Sequence, residues 1–257
     1  ETLFVEHRGR GELIKSRVVV GADGVNSRTR KIAGIETTAK DYVHAYQMDV
    51  SGRFDPRYVQ LYFGDYSKGF FAWVVPENEE RARVGLASTS GNIRKDFNMF
   101  IQEKNINGEF CDMCSSLIPM GPPFKANAKG NILLTGDAAF INKSTTGGGI
   151  ILGMMAGRAA GDSVDAYFKD NVPLSNYERN LEPIAKDLRL HWKMRQFMNS
   201  LSNEQMDALF RKMRKAKVGE FLAESGDMDR PTRFVGKLLA KPSMWRLFPE
   251  AIRFFTT

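Results

Sequence analysis

One stretch constrains the fold of this chain more than any other: residues 131–157, NILLTGDAAFINKSTTGGGIILGMMAG. Its apolar start is typical of a β-strand that ends at Gly136, and a helix rich in small residues is predicted from about Gly148. The glycines at 147–149 allow backbone amides to approach a ligand, and a helix start offers N–H groups to an anion. Asp137, at the end of the strand, is placed to accept a hydrogen bond from a ligand hydroxyl. The sequence predicts a ligand site here, with an ordinary glycine-rich turn as the alternative.

A second stretch, residues 17–30, RVVVGADGVNSRTR, is another apolar strand that ends in Gly and Asp. The pattern Gly-Ala-Asp-Gly-x-x-Ser-x-x-Arg, followed along the chain by Gly-Asp-Ala-Ala, resembles two fingerprints of the FAD-dependent aromatic hydroxylase superfamily. The resemblance implies that Asp23 lies near the cofactor and the nicotinamide path, and that Asp137 binds the ribityl chain of FAD. It implies the following cofactor-binding residues: Asp23, Gly24, Gly136, Asp137, Ala138, Thr146, Gly147, Gly148, Gly149 and Ile150.

That superfamily opens with a strand, a Gly-x-Gly-x-x-Gly turn and a helix. No such segment is present here: the chain begins at Glu1, in what reads as a hairpin with its turn at residues 8–11. We therefore expect the chain to be the carboxyl-terminal part of a longer protein. Expectations about activity concern that intact parent.

The net charge of +7 and the isoelectric point near 9.4 favour an anionic partner, such as a dinucleotide, a phosphorylated substrate or an anionic membrane surface. Nucleic acid is not expected, because no helix-turn-helix, zinc-finger or RNA-recognition signature is present. No apolar run is long enough to span a bilayer and no signal peptide is visible. We expect a cytoplasmic protein, with peripheral contact to a membrane as an open alternative.

Cys111 and Cys114 are the two cysteines, in the sequence Cys-Asp-Met-Cys. With no second pair and no nearby histidine, a zinc site is not predicted, and no other metal site is expected. A redox pair beside a flavin and a structural or incidental role both remain open for these thiols. His44, which shares a predicted strand face with two tyrosines, is either a proton donor or a satisfied or exposed histidine.

Four β-rich runs follow the first motif, at residues 42–50, 58–63, 70–75 and 82–88, with a helical pattern at 93–104. They predict a mostly antiparallel sheet inserted between two cofactor strands, as a substrate domain over a flavin requires. The expected fold class is α/β (α+β), a partial FAD-binding Rossmann-like domain with an inserted sheet and a helical end. The predicted divisions are the FAD-binding domain at 1–36, the β-rich substrate domain at 37–125, the return to the FAD-binding domain at 126–170 and the helical region at 171–257.

The strand in Gly-Phe-Phe-Ala-Trp-Val-Val-Pro places Phe71 and Trp73 on one face, because side chains alternate along a strand. Together with Thr-Thr-Gly-Gly-Gly-Ile at 145–150, it resembles the geranylgeranyl reductase family, specifically its archaeal lipid branch. The resemblance implies that Phe71, Trp73 and Pro76 line a tunnel for a polyprenyl chain. Val75 departs from the family, which usually has Phe before the proline. Plain core packing is the alternative for these aromatics.

The last third is helical and basic, with predicted capping boxes at Ser175 and Ser202. Its basic residues form either a solvated helix face or a contact with anionic head groups. These residues are Lys186, Arg189, Lys193, Arg195, Arg211, Lys212, Arg214, Lys215 and Lys217. Methionines at 194, 198, 206 and 213 suit either a core or a lipid groove. The apolar but charged tail at 234–255 either packs on the protein or lies on a membrane.

The resemblance implies an FAD-dependent reductase that saturates double bonds of geranylgeranyl chains in archaeal ether-lipid biosynthesis. Its partners would be a polyprenyl lipid substrate and an electron donor such as NADPH or ferredoxin. The catalytic proton donor is not identified by the sequence. Two alternatives remain: an aromatic hydroxylase or halogenase of the same superfamily, and a truncated, non-catalytic binding domain.

Overall fold

The computed structural model describes residues 2–233. Its strands are β1 Thr2–His7, β2 Arg10–Lys15, β3 Val19–Gly21, β4 Tyr42–Ser51, β5 Gln60–Tyr62, β6 Ala72–Pro76, β7 Arg81–Ser88, β8 Glu109–Pro119, β9 Ala128–Lys129 and β10 Ile132–Leu134. Its helices are α1 Arg28–Ile32, α2 Ile93–Glu103, α3 Ile150–Asp170, α4 Asn176–Asn199, α5 Asn203–Lys215 and α6 Val218–Ser225. The predicted mixture of an antiparallel sheet, a strand pair carrying the two motifs and a helical end is confirmed. The apolar tail at 234–255 lies outside the described residues.

By internal contacts the described chain forms two compact units. The first contains residues up to 37, 121–192 and 225–233, and the second contains 38–120 and 193–224. The division within the helical end falls inside α4, after Trp192. The functional domain boundaries predicted from the sequence stay a prediction.

The first unit is built around two short parallel strands. β10 pairs in parallel with β3, Ile132 opposite Val19, and β9 pairs with the other edge of β10. Buried side chains from β10, α3 and α4 form its core, and the residues that α3 contributes include Ala156 and Ala160. The Tyr177 hydroxyl donates to the Leu134 carbonyl (2.9 Å), so α4 is tied directly to β10.

The second unit is organised by a five-stranded antiparallel sheet in the order β5-β6-β7-β4-β8. Alternation along the strands separates two apolar faces. One face, with Val74, Val84 and Leu86, packs against Phe97 and Phe100 of α2. The other carries Phe71, Trp73 and Ala87 with neighbouring apolar residues. The sheet is therefore buried on the α2 side and presents a second, aromatic face opposite it.

Three local features differ from the sequence analysis or add to it. Residues 109–119, for which no strand was predicted, form the edge strand β8, which includes Cys111 and Cys114. Glu178 does not complete a capping box at Ser175, because its carboxylate accepts hydrogen bonds from the backbone amides of Asn127 and Ala128. Arg195, counted among the basic helix residues, is buried. The capping box at Ser202 is confirmed.

Candidate functional site

The two sequence motifs meet at one edge of the small sheet. Because β3 and β10 are parallel, their carboxyl ends lie side by side, and the Thr135 amide donates to the Gly21 carbonyl (2.9 Å). The Asp23 loop and the Gly136 turn therefore leave the sheet together. In open α/β sheets, ligands bind outside the carboxyl ends of the strands. This edge has the position that a cofactor site requires.

The Asp23 carboxylate is used inside its own loop. It accepts hydrogen bonds from the Ser27 hydroxyl (2.5 Å), the Thr29 amide (3.0 Å) and the Thr29 hydroxyl (3.1 Å). Burial acts to raise its pKa, but these donors lower the pKa overall. Gly24 has a φ of +76°, which is the left-handed region that favours glycine. Asp23 and Gly24 thus fix the shape of the loop ahead of α1.

Arg30 joins the two motifs, a role that the sequence did not reveal. Its guanidinium donates to the Ala138 carbonyl (3.2 Å) in the second motif and to the Val25 carbonyl (2.9 Å) in the first. It also lies 5.6 Å from the centre of the Phe140 ring. The side chain is 2% exposed, so these contacts form in a site shielded from water. The fixed spacing between Asp23 and Arg30 in the motif indicated that Arg30 matters. It could not indicate that Arg30 bonds to the carbonyl of Ala138, which lies far along the chain.

Unlike the Asp23 carboxylate, the Asp137 carboxylate accepts no hydrogen bond from the described residues. It lies in a 3₁₀ turn over Gly136–Ala139, directly after β10. Burial raises its pKa, and within residues 2–233 no hydrogen bond to the carboxylate offsets that effect. A partly buried carboxylate of this kind suits a ligand that brings its own hydroxyl donors.

Residues 143–149, which we call the glycine loop, lead from this turn to α3. The Lys143 amide donates to the Gly148 carbonyl (2.9 Å), and the Lys143 carbonyl accepts from Gly147 (2.7 Å). A side chain at Gly148 would lie 2.9 Å from the Lys143 Cε, and one at Gly149 would lie 3.2 Å from an oxygen of Asp137. The glycines therefore keep open the space beside the carboxylate.

The start of α3 borders the same space. Gly149 is the residue before the helix and supplies no side-chain cap, while Ile150 begins the helix and is exposed. Thr146 turns its hydroxyl toward the Gly148 amide (3.4 Å). Helix amides, an open glycine surface and an unsatisfied carboxylate occur together here, as an anionic group with ribityl hydroxyls would need. The residues present fit FAD.

The glycine loop also contacts α4 and the segment that follows α6. The Thr145 hydroxyl lies 2.7 Å from Nδ1 of His191, and Nε2 of the same ring lies 3.1 Å from the Met228 carbonyl. Lys143 forms an ion pair with Asp229 (2.7 Å). Burial is the main cause that lowers the pKa of His191 to about 4, and Lys143 acts in the same direction. The imidazole is therefore neutral at physiological pH.

The predicted substrate residues lie in the second unit. Phe71 is buried and Trp73 is half-buried, with ring centroids 6.1 Å apart in an edge-on arrangement. The Trp73 indole donates to the Gln47 side chain (3.0 Å) and covers Gly85, where an added Cβ would meet the indole at 2.6 Å. Pro76 is half-buried at the end of β6. Phe71 directly precedes β6, which contains Trp73 and Pro76. Phe71 also stacks on Phe70, so part of the predicted wall is core packing.

The remaining candidates have ordinary surroundings. Nε2 of His44 lies 2.8 Å from the Ser115 hydroxyl, which itself donates to the Ala45 carbonyl, so His44 is the donor in this pair. Cys111 and Cys114 are free thiols. Among residues 2–233, no group of three or more His, Cys, Asp or Glu side chains is arranged to hold a metal ion. None of the described helices combines the length and apolarity that crossing a bilayer demands.

Comparison with known proteins places this geometry in context. No family model matches the chain. It is 30% identical over 271 residues to a digeranylgeranylglycerophospholipid reductase of Methanocaldococcus jannaschii, covering 97% of this chain and 66% of that protein. A second protein of that name, from Methanothermobacter thermautotrophicus, is 31% identical over 78% of this chain and 55% of its own length. The chain spans less than two thirds of the length of these curated relatives.

Among solved structures, a geranylgeranyl bacteriochlorophyll reductase-like protein from Thermoplasma acidophilum superposes with a TM-score of 0.72 at 22% identity, over 79% of this chain and 55% of that one. A flavin-dependent halogenase also shares the fold, with a TM-score of 0.58 at 15% identity, over 78% of this chain and 41% of that one. The resemblance predicted from the motifs is confirmed: this chain is a relative of the geranylgeranyl reductases named digeranylgeranylglycerophospholipid reductase, with a fold shared by a flavin-dependent halogenase and an anhydrotetracycline hydroxylase.

Proposed function

We propose that the intact protein carrying this chain is an FAD-dependent reductase of the lipid-biosynthetic type, which saturates double bonds of geranylgeranyl chains on an archaeal ether-lipid precursor. The observation that carries the proposal is the Asp137 carboxylate, which has no donor within the described chain and faces the glycine loop. The names of the curated relatives supply the substrate class. NADPH or ferredoxin is the proposed source of electrons.

In this proposal the chain holds the cofactor through two groups of residues. Asp137 accepts hydrogen bonds from ribityl hydroxyls, while the amides of the glycine loop and the first turn of α3 bind electron-rich groups of FAD. Asp23, Gly24 and Arg30 act by fixing the neighbouring loop. Bound reduced FAD supplies hydride chemistry. The other proposed cofactor-binding residues are Gly136, Ala138, Thr146, Gly147, Gly148, Gly149 and Ile150.

Phe71 and Trp73 provide the wall for the polyprenyl chain. Pro76, two residues after Val74, lies on the opposite face at the end of β6 and pairs with Ala82. An isolated trisubstituted alkene accepts hydride poorly, so protonation toward a tertiary cation should lead or accompany reduction. The aromatic faces would exclude water and stabilise developing positive charge. Gln47 holds the Trp73 indole in one orientation through its 3.0 Å hydrogen bond. No residue of the chain is assigned as the proton donor.

The basic face of α5 supports a further part of the proposal, peripheral contact with an anionic membrane. Arg211, Lys212, Arg214 and Lys215 are exposed, whereas Met206 on the same helix is buried. Exposed cations near an anionic surface contribute about 1 kcal/mol each. Sedimentation with vesicles of increasing anionic lipid content tests this contact, which should weaken as salt is raised.

The test of the function uses the intact protein as purified. Flavin absorption bands should bleach on anaerobic reduction and return when a geranylgeranylated glycerophospholipid is added, and the lipid should gain two hydrogen atoms per saturated bond. Reduced flavin that ignores the lipid but hydroxylates an aromatic compound in air would favour the hydroxylase alternative. A colourless protein that releases no flavin on heating would favour the non-catalytic one.

Asp137→Ala should lower the amount of FAD retained through purification, because the variant loses the proposed ribityl contact. Glu182→Ala, at an exposed position of α4, is the control for handling losses. Equal flavin content in the Asp137 variant and the wild type would contradict the assignment of Asp137.

A further inference from the structure

A short segment near the end of the described chain contacts the glycine loop and the helix α4 that supports it. It consists of residues 227–232, and we call it the strap. Asp227 organises its turn, since the Asp227 carboxylate accepts from the amides of Asp229 and Arg230, each at 3.0 Å. The strap has internal hydrogen bonds of its own and belongs to the same compact unit as the loop.

Two side chains connect the strap to the glycine loop. Lys143 pairs with Asp229 at 2.7 Å, and its side chain is only 13% exposed. The Lys143 backbone bonds to Gly147 and Gly148, so the same residue closes the loop and anchors it. Removing one partner of a partly buried ion pair costs more than removing one on the open surface, because the remaining charge is left uncompensated.

The second connection passes through His191 of α4. A carbonyl oxygen can only accept, so the 3.1 Å contact with Met228 requires a proton on Nε2. Nδ1 then has a lone pair and accepts from the Thr145 hydroxyl at 2.7 Å. The neutral ring thus links the strap backbone to the residue that precedes Thr146.

The far end of the strap is fixed to the same helix. Asp187 lies one turn before His191 on α4, and its carboxylate accepts from the Thr232 amide (3.0 Å) and the Thr232 hydroxyl (2.6 Å). Asp187, His191 and Pro231 are all buried. The strap is therefore anchored to the loop directly through Asp229, and to α4 through Met228 and Thr232; His191 extends the Met228 contact to Thr145 of the loop.

We propose that the strap holds the glycine loop in its ligand-binding shape, and that Lys143 and His191 are positioning residues for FAD; this rests on the function proposed above. Neither residue needs to touch the cofactor. By linkage, a strap that favours the bound shape of the loop is itself stabilised when FAD binds. The affinity for FAD and the stability of the contacts between the strap and the glycine loop therefore report the same equilibrium.

The test is FAD titration of the apoprotein form of the intact parent, followed by quenching of flavin fluorescence. Thr145→Val removes the hydroxyl at nearly constant volume, and Thr145→Ser retains it. We expect the valine variant to bind FAD about tenfold more weakly, the loss of about one hydrogen bond, and the serine variant to bind nearly as the wild type does. Asp229→Asn, which keeps the shape but not the ion pair, should also weaken binding.

A second readout is limited proteolysis of the strap with and without FAD. The cofactor should slow cleavage in the wild type, and this protection should shrink in the valine variant, while the thermal midpoint of each apoprotein reports whether the variant still folds. A wild type that binds FAD, with Thr145→Val and Asp229→Asn binding equally tightly, would overturn the strap proposal alone. A wild type that binds no FAD would overturn the proposed function and the strap's role together.

Discussion

His191 should make the stability of the chain fall steeply in mild acid. His191 is 4% exposed, and the charged groups that act on its ring are Lys143 of the glycine loop, Asp187 of α4 and Asp229 of the strap. Burial is the main cause that lowers its pKa from the ordinary 6.5 to about 4. Between these values the unfolded chain binds a proton that the folded chain does not, so stability is lost as the pH falls.

The size of the effect follows from the two pKa values. At about 1.4 kcal/mol for each tenfold change in proton affinity, the free energy of unfolding should drop by about 3 kcal/mol between pH 7 and pH 4 on account of this ring. His191→Gln is the matched variant, because its amide can donate and accept but does not titrate. Urea unfolding of both proteins at several pH values measures the difference.

The glutamine variant should start less stable than the wild type at pH 7 and lose its disadvantage by pH 4. Both proteins contain the same other ionisable groups, so the comparison isolates the contribution of the ring. If the two curves run parallel from pH 7 to pH 4, the neutral buried ring and the tautomer inferred for it are wrong.

Three other substitutions test separate parts of the structure. Asp137→Asn should raise the stability of the apoprotein at pH 7, because burial raises the pKa of this carboxyl and its charge is then unfavourable; in urea titrations the gain should shrink as the wild-type carboxyl protonates at lower pH. Arg30→Lys should cost about 2 kcal/mol by thermal or urea unfolding, since lysine cannot bridge the Val25 and Ala138 carbonyls together, and an unchanged midpoint would deny the bridge. Gly85→Ala should destabilise by about 1 to 3 kcal/mol and shift tryptophan emission, because the new methyl would lie 2.6 Å from the Trp73 ring; Gly161→Ala on α3, with open space around it, should be neutral or stabilising.

Local patterns predicted the strands that carry most of the structure. Apolar runs ending in Gly and Asp marked β3 and β10, and four β-rich runs marked β4 to β7. β8 was missed because it is an edge strand, exposed over much of its length, so it lacks the alternation that burial imposes. No strand was therefore predicted for the segment that carries Cys111 and Cys114.

The site was predictable only as far as its residues are neighbours in sequence. Asp137 and the glycine loop form one continuous motif, so their proximity followed from the sequence. Arg30 and the Ala138 carbonyl are 108 residues apart, and Thr145 and His191 are 46 apart. A lone histidine in a helix gives no local sign of its partners. Glu178 shows the converse, since a good capping pattern was overridden by two backbone amides elsewhere in the chain.

The parallel pairing of β3 with β10 also has a consequence for the order of folding. The two strands are three residues each and are joined by a very long intervening segment, which includes the whole five-stranded sheet. Closing so long a loop costs entropy that a few backbone hydrogen bonds cannot offset. The hairpins of the inserted sheet are local and should form first, shortening the effective loop. Pulse-labelled hydrogen exchange should therefore show the amides of β6 and β7 protected before those of β10, so that the Asp137 turn is among the last parts of the chain to form.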